Sequence, residues 1–346
     1  MSAYYISEQP VIERANSMKI MRDIDVILGD CGLEKVTDTF EVYPDRENRY
    51  TLYKIKKMRA VVHACKKFSG ETIFIQYPTA LGDKFIFPHY IKSIAKKNNV
   101  VFILRDLPGL KFKSSLVSKI DRRVLKSGYK IISHNQIMTN YLVRQFRIPA
   151  HKIINLNIFD YLTSNVSVDE RHKSKEVVYA GDLDINRRLI EKYKNAKIDA
   201  KLNLYGPSSS EATLDSDNTK YCGIFPSDLV NLKLKGSFGL VWEGVSLDNC
   251  EGIYGEYTKY NNPHKASLYI ISRLPIITSK CAAISKFVEG NKIGFSVKSL
   301  EEIPEKINSL TQEDYQQMIT NITLIANRVS TGKYLGEIVK KIINQA

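Results

Sequence analysis

The run Tyr257–Ser267 (YTKYNNPHKAS) holds the residues with the clearest capacity for ligand chemistry. Asn262 is a preferred helix cap, and Pro263 fits the first position of a helix. His264 and Lys265 then fall in the first turn, where the helix dipole disfavours a cation unless an anion lies close by. A bound diphosphate would supply that negative charge; the alternative is the start of a surface helix. We expect a phosphorylated ligand to be bound by Tyr260, Asn262, His264, Lys265 and Ser267.

A second candidate for anion binding is the run AGDLDINR, which ends at Arg187. Gly181 follows the apolar run EVVYA, and a glycine straight after a strand lets the backbone approach a ligand closely. Arg187 falls in the first turn of the next helix, where a phosphate would again offset an unfavourable cation. We expect Gly181, Asp182 and Arg187 to contact the same ligand. The alternative is an ordinary strand-to-helix turn with solvated arginines, and no G-x-G-x-x-G stretch supports a dinucleotide-redox site.

Other candidates stand at or near predicted strand ends, where parallel α/β sheets bind their ligands. Glu243 follows the run FGLVW and is expected to accept hydrogen bonds from sugar hydroxyls. Tyr205 ends another predicted strand and Tyr221 precedes a predicted helix; an aromatic ring there either stacks on a base or packs locally. Trp242 is equally a core anchor or a sugar-stacking platform. The long segment 245–260, with three tyrosines, predicts a lid over the ligand.

An alternation of strands and helices must position these residues. Short apolar runs predict strands, and segments of helical period separate them. Strands are predicted at 4–6, 72–76, 100–104, 130–133, 176–180, 201–205, 239–242, 274–278 and 294–297. Helices are predicted near 17–31, 51–68, 84–97, 114–127, 135–146, 186–195, 226–235, 264–272, 281–289, 300–309 and 313–346. This alternation is typical of parallel sheets with helical crossovers, so the predicted fold class is α/β, with two Rossmann-like doubly wound domains facing a cleft.

The predicted domain boundaries follow from one polar segment. Residues 163–175 (TSNVSVDERHKSK) lack an apolar period and are expected to link the domains. The N-terminal domain then covers residues 1–162 and the C-terminal, ligand-binding domain covers 176–325. A C-terminal helix in 326–346 is expected to pack back on the first domain.

Positive charge is concentrated in the first predicted domain. The chain has 51 Lys or Arg against 37 Asp or Glu, and residues 51–152 alone hold 21 against 4. This excess favours phosphate-rich partners, namely nucleic acid, an anionic membrane surface or a lipid-linked pyrophosphate; a solvated basic surface is the alternative. Asp106 follows a predicted strand here and is a candidate general base, because activating a hydroxyl requires a carboxylate or imidazole within reach. Structural capping is an equal explanation for Asp106.

Composition and motif content exclude several classes of protein. Hydrophobic residues make up 43% of the chain, which rules out a disordered or collagen-like protein. No apolar stretch approaches 18 residues, and neither a spanning helix nor a secretory signal is expected. Five cysteines without a C-x-x-C pair and six histidines without metal-ligand spacing predict free thiols, a cytoplasmic protein and no bound metal.

Four runs of the sequence resemble the bacterial glucosyltransferase-3-like and β-1,6-galactofuranosyltransferase family of two-domain, GT-B-fold enzymes. They are SFGLVWEG, GEYTKYNNPHKASLYIISRLPII, YAGDLDINR and SHNQIMTNYLVRQFRIPAHKIINLNIFDYL. The resemblance spans nearly the whole chain and is most specific at NNPHK. It implies metal-free transfer of a hexose, galactofuranose or glucose, from a UDP-sugar to a glycan, lipid-linked or glycoprotein acceptor. It also implies a role in cell-surface polysaccharide or adhesin assembly and a homo-oligomeric enzyme.

The resemblance also implies roles for individual residues. Lys265 in NNPHK would hold the donor diphosphate, Arg187 would assist it, and Tyr221 would lie beside the nucleotide. Asn16 and Lys19, in NSMK, match the part of the first domain that faces the donor and acceptor.

This chain departs from the family pattern in two places. The family often has His-Asp after its third or fourth strand, whereas this chain has Arg105-Asp106, so the identity of a catalytic base stays open. The NSMK segment lacks the glycine common at that position in the family, which points to a different acceptor.

Two other classes of function stay open. A non-catalytic α/β protein would bind polyanions or a membrane through its basic half; the interleaved aromatic and basic residues of RNA-binding proteins are missing, so nucleic acid is not an expected partner. A nucleotide-sugar epimerase would interconvert the donor without an acceptor. The expected location is the cytoplasm, with association at the inner face of the plasma membrane.

Overall fold

A computed structural model describes residues 2–10, 17–37, 40–42, 49–79, 87–166 and 170–345 of the chain. The chain divides into two compact units. The first unit comprises Met1–Asn157 together with Tyr334–Ala346, and the second comprises Ile158–Lys333.

The first unit is built on a parallel six-stranded sheet. The strands of this unit, in the main sheet and a smaller one, are β1 (Ala3–Ile6), β2 (Glu8–Pro10), β3 (Glu34–Lys35), β4 (Phe40–Val42), β5 (Thr72–Tyr77), β6 (Asn99–Leu104), β7 (Lys130–Ser133) and β8 (Ile153–Asn155). Its first six helices are α1 (Ser17–Asp30), α2 (Arg49–Cys65), α3 (Phe87–Ala95), α4 (Pro108–Lys111), α5 (Ser115–Leu125) and α6 (Gln136–Phe146). The sheet order is β3-β1-β5-β6-β7-β8, and β2 pairs with β4 in a separate two-stranded sheet.

The second unit repeats this plan with its own six-stranded parallel sheet. Its strands are β9 (Glu176–Ala180), β10 (Lys201–Tyr205), β11 (Thr219–Tyr221), β12 (Phe238–Val241), β13 (Ile276–Ser279) and β14 (Gly294–Val297). Its helices are α7 (Arg187–Asn195), α8 (Gly252–Thr258), α9 (His264–Ile271), α10 (Ser285–Gly290), α11 (Ile303–Ser309) and α12 (Gln312–Val329). The order β11-β10-β9-β12-β13-β14 is that of a dinucleotide-type doubly wound sheet. The last helix, α13 (Lys333–Ile343), lies almost wholly in the stretch grouped with the first unit.

The strands form because their sequences are short apolar runs that suit a sheet covered on both faces. In β6 (NVVFIL), five of six residues are buried, and in β9 (EVVYA) the last four are buried. A cluster of large side chains closes the core of the second unit, with Tyr179, Tyr193, Phe238, Trp242 and Tyr315 at its centre. The predicted α/β fold with two doubly wound units is confirmed.

Two details of the predicted organisation are wrong in the second unit. The segment 226–235, predicted as a helix, holds only a short 3-10 helix at Val230–Leu232, because Pro226 and the preceding loop start a turn instead. The segment 245–260, predicted as an unstructured lid, contains helix α8, in which Gly255, Tyr257 and Thr258 are buried.

The expected linker 163–175 lies within the second unit where the structure describes it. Arg171 is buried, and its guanidinium donates to the carbonyl oxygens of Leu234 at 2.9 Å and Ser272 at 3.0 Å. Polar sequence suggested a solvated connection, but here the polar groups satisfy backbone carbonyls at the end of a core helix and a loop. The division between the units falls at Asn157 and Ile158 instead.

Candidate functional site

The candidate site of the second unit lies where its sheet order reverses. Strands β9 and β12 are neighbours, but β9 is followed in the chain by β10 toward one edge of the sheet, and β12 by β13 toward the other edge. This reversal leaves a crevice beyond the carboxyl ends of the two strands. Gly181 follows β9, and Glu243 and Gly244 follow β12 after Trp242. Ligands of open α/β sheets bind at this position.

Glycines allow the chain to turn tightly at this edge. Gly181 has φ +150°, and a Cβ atom there would lie 3.4 Å from the Lys265 ammonium. Gly206, which follows β10, has φ +132°, and a Cβ there would overlap the Gly181 carbonyl oxygen. L side chains rarely adopt such φ values, so both positions require glycine. The β9 and β10 turns can therefore approach each other and the Lys265 ammonium closely.

Helix α9 presents Lys265 to this crevice because its body is locked onto the sheet. A Cβ at Gly239 in β12 would overlap the Tyr269 ring, so the ring packs directly on the strand. The Tyr269 hydroxyl donates to the Leu240 carbonyl at 3.2 Å and accepts from the Ala180 N–H at 2.9 Å. These two bonds tie the helix to β12 and β9. Its first turn is thereby fixed at the sheet edge.

Lys265 and Glu243 form an ion pair at the centre of the site. The Lys265 ammonium lies 2.6 Å from Glu243 Oε1, and only 10% and 17% of the two side chains are exposed. The same ammonium lies 4.4 Å from the centre of the Tyr179 ring. Burial, reinforced by the negative charge of Glu243, raises the pKa of Tyr179 well above its ordinary value, so this phenol stays neutral. An ammonium carries three N–H donors, so Lys265 can contact a further anion besides Glu243.

The dipole argument for a bound anion needs correction in view of these contacts. Lys265 does lie in the first turn of α9, but the helix begins at His264 with Pro263 as its cap residue, one position later than predicted. Asn262 is buried and is not the cap. Glu243 already supplies a negative charge beside Lys265, so the position of this cation does not by itself require a ligand.

Arg187 also has a carboxylate partner. It begins α7 as predicted, and its side chain is 46% exposed. Its guanidinium donates to Glu191 at 3.0 Å and to the Ser210 hydroxyl at 3.3 Å. Glu191 lies one helical turn away, a favourable spacing for an ion pair. Arg187 thus belongs to an exposed pair on α7, whereas Lys265 is nearly buried.

Asp182 and Asp184 shape the turn between β9 and α7. Asp182 is exposed, and its carboxylate accepts the N–H groups of Asp184 and Ile185 at 3.1 and 3.2 Å. The Asp184 carboxylate accepts from the backbone and hydroxyl of Ser209, and these bonds lower its pKa. Both carboxylates therefore stabilise loops in this structure.

The two tyrosines proposed beside a base line one cavity of about 760 Å³. Tyr205 is buried, and its hydroxyl accepts the Lys235 N–H at 2.9 Å. Tyr221 is half-buried, and its hydroxyl donates to Glu211 at 3.0 Å. Burial, together with this carboxylate, raises the pKa of Tyr221 to about 12. The cavity is also lined by Lys201, Lys220, Cys222, Phe225, Lys233 and Lys235, among others. Aromatic rings and ammonium groups therefore share this face of the sheet.

The remaining residues of the NNPHK run contact the segment that opens the second unit. The His264 ring stacks on Tyr161 with 4.8 Å between centroids, and its Nε2 lies 3.1 Å from the Asp160 carbonyl oxygen. Ser267 is fully buried and donates to the Phe159 carbonyl at 2.7 Å. Tyr260 is half-buried. Ser267 therefore anchors α9, and a ligand contact through its hydroxyl stays a prediction.

Trp242 is a core residue. It is 1% exposed, and its indole N–H donates to the Ser246 carbonyl at 3.0 Å. The Tyr179 hydroxyl donates to the Trp242 carbonyl at 3.0 Å. Of the two roles left open for this side chain, the structure assigns the core anchor.

In the first unit, the predicted residues lie apart in two ion pairs. Lys19 is 4% exposed, and its ammonium lies 2.8 Å from Asp23, one turn along α1. Asp106 follows β6, and its carboxylate lies 2.9 Å from the Lys111 ammonium, with 33% of the Asp106 side chain exposed. Asn16 lies outside the described residues.

Sequence reasoning missed a polar network at the carboxyl ends of β1 and β5. Asp25 accepts the Ser7 hydroxyl at 2.5 Å and the Gln76 amide at 2.8 Å. Burial raises the pKa of Asp25 to about 6, although these two hydrogen bonds oppose the shift. Buried Arg105 Nε and Gln76 Oε1 have no hydrogen-bond partner among the described residues. The polar residues that follow the apolar runs of β1 and β5 were the available signal for this network.

The described residues hold neither a metal-binding cluster nor a membrane-spanning helix. No group of three or more His, Cys, Asp or Glu side chains in those stretches is arranged to hold a metal ion. No helix among the same residues has the length and hydropathy needed to cross a membrane.

The chain is similar in sequence to known glycosyltransferases. Residues 177–342 match the family model described as glucosyltransferase 3-like, C-terminal domain. The chain is 28% identical over 342 residues to the β-1,6-galactofuranosyltransferase WbbI of Escherichia coli (strain K12), covering 94% of this chain and 98% of WbbI. It is 25% identical over 256 residues to glucosyltransferase 3 of Streptococcus gordonii, with 73% of each chain covered.

The fold of the chain is also shared with solved structures. The crystal structure of HepE from Anabaena in complex with UDP superposes with a TM-score of 0.64 over 100% of both chains, at 11% identity. At that identity the likeness establishes the two-domain α/β fold, which is that of GT-B glycosyltransferases. The match of residues 177–342 and the similarity to WbbI over nearly its whole length make this chain similar to the glucosyltransferase 3-like family.

Proposed function

We propose that this protein transfers a hexose, galactofuranose or glucose, from a UDP-sugar to a glycan, glycolipid or glycoprotein in cell-surface polysaccharide or adhesin assembly. The observation that carries the proposal is the nearly buried Lys265 ammonium, which lies at the switch point of the second sheet beside Gly181. The names of the relatives support it: WbbI is a β-1,6-galactofuranosyltransferase, and the streptococcal proteins are named glucosyltransferase 3.

The donor diphosphate binds at the start of α9 in this proposal. The Lys265 ammonium and the first N–H groups of the helix donate to its oxygens, and Gly181 lets the backbone come close. Glu243 then accepts hydrogen bonds from sugar hydroxyls at the same sheet edge. The uracil lies near Tyr205 or Tyr221, where the cavity offers aromatic rings. HepE, which shares the fold, has been crystallised with UDP and with UDP-glucose.

Departure of the diphosphate develops negative charge, and fixed cations stabilise such charge in the transition state. Lys265 is placed to do this directly, and Arg187 assists from the start of α7 if it exchanges Glu191 for the ligand. We propose that these two cations serve in place of a divalent metal. A donor reaction that persists in EDTA is the expected result.

The acceptor is proposed to bind the first unit near Asn16 and Lys19, with Asp106 as the general base. The partly exposed Asp106 carboxylate follows β6 and is available to a hydroxyl once Lys111 moves aside. The buried polar atoms of Arg105 and Gln76 that lack partners among the described residues lie at the same sheet edge and favour a polar ligand there.

The setting of the reaction is proposed from charge and resemblance. The excess of Lys and Arg in residues 51–152 attracts anionic lipid, which favours a cytoplasmic enzyme at the inner face of the plasma membrane. A homo-oligomer is proposed from the family resemblance. Light scattering coupled to size-exclusion chromatography tests the oligomer, and a single-chain mass would reject it.

A ligand panel tests the donor assignment. Thermal unfolding is followed with UDP, GDP, CDP and ADP, each with and without EDTA, because a ligand that binds the native state raises its stability by mass action. Of the four nucleotides, we expect only UDP to raise the melting temperature, and by the same amount with and without EDTA. No response to UDP would reject the donor site, whereas a response lost in EDTA would reject only the metal-free reaction.

The products formed from the donor distinguish a transferase from an epimerase and from a non-catalytic binding protein. A transferase releases UDP from the UDP-sugar faster when an acceptor glycan is added, whereas an epimerase changes the sugar of the free donor without releasing UDP. A non-catalytic binding protein does neither. Conversion of the donor sugar in the absence of acceptor would favour the epimerase and overturn the proposed transfer.

A further inference from the structure

Two large apolar side chains protrude from the first unit where α4 meets α5. Phe112 is 53% exposed and Leu116 is 55% exposed, although most apolar side chains of this unit are buried. They flank the tight turn that joins the two helices, and Lys113 in that turn has φ +49°. The Lys111 ammonium lies 5.9 Å from the centre of the Phe112 ring.

Cations surround this apolar pair. Five exposed basic residues follow Phe112 along the turn and α5, namely Lys113, Lys119, Arg122, Arg123 and Lys126. The acidic residue of α5, Asp121, is buried; it accepts the Tyr77 hydroxyl at 2.5 Å and the Gly109 N–H at 2.7 Å. The outer face of α5 therefore carries positive charge without an opposing carboxylate of its own helix.

The local structure holds the apolar pair outward. A Cβ atom at Gly109 would overlap the Ser118 backbone, so α4 and α5 are in direct contact. The Ser114 hydroxyl caps α5 by accepting the Val117 N–H at 3.3 Å. Val124 and Leu125 bury the opposite face of the helix. Phe112 and Leu116 thus cannot turn into the core without breaking this packing.

We propose that the surface formed by Phe112, Lys113, Leu116 and the exposed cations of α5 docks on an anionic lipid bilayer. Phe112 and Leu116 enter the boundary between headgroups and acyl chains, and the basic side chains bind lipid phosphates. Exposed apolar groups amid cations match a lipid surface, which offers both apolar and anionic groups. A nucleic acid backbone would attract the cations but would offer no apolar surface to the exposed leucine. This inference locates the proposed membrane association and does not depend on the donor site.

Vesicle sedimentation tests the surface with the full chain. Vesicles of phosphatidylglycerol mixed with phosphatidylcholine are compared with vesicles of phosphatidylcholine alone. We expect binding to the anionic vesicles only, and weaker binding at high salt. Lys119→Glu with Arg123→Glu should lower the partition coefficient at least about tenfold, since each cation near an anionic surface contributes to binding. Phe112→Ser with Leu116→Ser should lower it by a similar factor at high salt, where the apolar contribution dominates.

Matched controls and a second readout keep the outcomes distinct. Leu324→Ser removes an apolar side chain of the second unit that is 68% exposed, and it should bind vesicles as the unmodified protein does. Every variant should keep the melting-temperature rise with UDP, so loss of vesicle binding cannot be confused with failure of the donor site. Absence of binding to anionic vesicles, or full binding by the Phe112 and Leu116 variant, would overturn the proposal. Equal capture by vesicles and by poly(U), unaffected by that variant, would indicate nonspecific attraction to polyanions instead.

Discussion

The Lys265 ammonium lies 2.6 Å from the Glu243 carboxylate, and both side chains are nearly buried. Glu243 lies just beyond β12, after Trp242, and Lys265 is the second residue of α9, so the pair links the two elements that border the switch point of the second sheet. A cation at a helix N-terminus is unfavourable alone, and this carboxylate offsets it. A donor diphosphate would take over that role when it binds.

Replacing Lys265 should abolish nucleotide binding, whereas replacing Glu243 should leave it in place. Lys265→Met should lower kcat/KM by about 100-fold or more and remove the UDP-induced rise in melting temperature, because it deletes the fixed positive charge. Glu243→Gln should keep that rise, since it removes a negative charge beside the diphosphate. Turnover and thermal unfolding with UDP measure both effects. Lys259→Met, which breaks the more exposed pair with Glu256, serves as the control and should retain activity.

The effects of the two substitutions on the free energy of unfolding should be coupled. Lys265→Met leaves a largely buried carboxylate without its partner and should cost about 1–3 kcal/mol of unfolding free energy. Adding Glu243→Gln should recover most of that loss without restoring turnover. Chemical denaturation of the four proteins in a double-mutant cycle measures the coupling. Additive losses would contradict a paired arrangement, and activity in the double variant would reject Lys265 as the diphosphate contact.

Gly181 should tolerate no side chain. Gly181→Ala places a methyl group 3.4 Å from the Lys265 ammonium at φ +150°, so we expect a loss of about 1–3 kcal/mol and weaker UDP binding. Gly206→Ala should cost more, because its Cβ would overlap the Gly181 carbonyl. Gly290→Ala, at a helix end with open space around it, is the control and should be neutral or slightly stabilising. Thermal unfolding with and without UDP measures all three, and unchanged UDP binding by Gly181→Ala would place the donor elsewhere.

Substitutions of Asp106 and Lys111 should distinguish a catalytic role of the carboxylate from a structural role of the ion pair. Asp106→Asn should lower kcat by about 100-fold or more if the carboxylate is the general base. Lys111→Met breaks the same partly exposed ion pair, leaves the carboxylate in place and should keep most activity; each change should cost no more than about 1 kcal/mol of stability. Steady-state kinetics with acceptor measures both. Equal loss of activity in the two variants would assign Asp106 a positioning role.

Asp25 should make the stability of the protein depend on pH. Its pKa is raised from 3.8 to about 6 by burial, so the native state holds a proton that the unfolded state has lost between these pH values. Stability should therefore fall as pH rises from about 4 to 6, by up to about 3 kcal/mol for this group. Asp25→Asn should abolish that part of the fall, because its side chain does not titrate.

Denaturation of Asp25→Asn and the unmodified protein at several pH values gives the difference in unfolding free energy. We expect it to grow in favour of the variant up to about pH 6 and then to stay constant. Asp30→Asn, an exposed position at the end of the same helix, is the control and should follow the unmodified protein. A difference that is independent of pH would show that Asp25 does not change its protonation on folding.

Local sequence was sufficient for the main elements. The strand predicted at 201–205 coincides with β10, and that predicted at 130–133 coincides with β7. The start of α9 was also predicted to within one residue, with Lys265 in its first turn. These successes have one physical cause: apolar runs and helix-breaking residues act on neighbours in the chain, so their consequences are visible in a short window.

The contacts that define the site needed the folded chain. The partner of Lys265 and the anchoring bond of Ser267 depend on α9 packing over Gly239 and Leu240. The core position of Trp242 depends on the side chains that the second unit gathers around it. Helix α8 was missed because its residues bury against the fold rather than showing an apolar period. Sequence alone therefore determined two doubly wound α/β units and a cation at a helix start. Tertiary packing decided which carboxylate meets that cation, because a charge pair between distant segments forms only where the sheet brings their ends together.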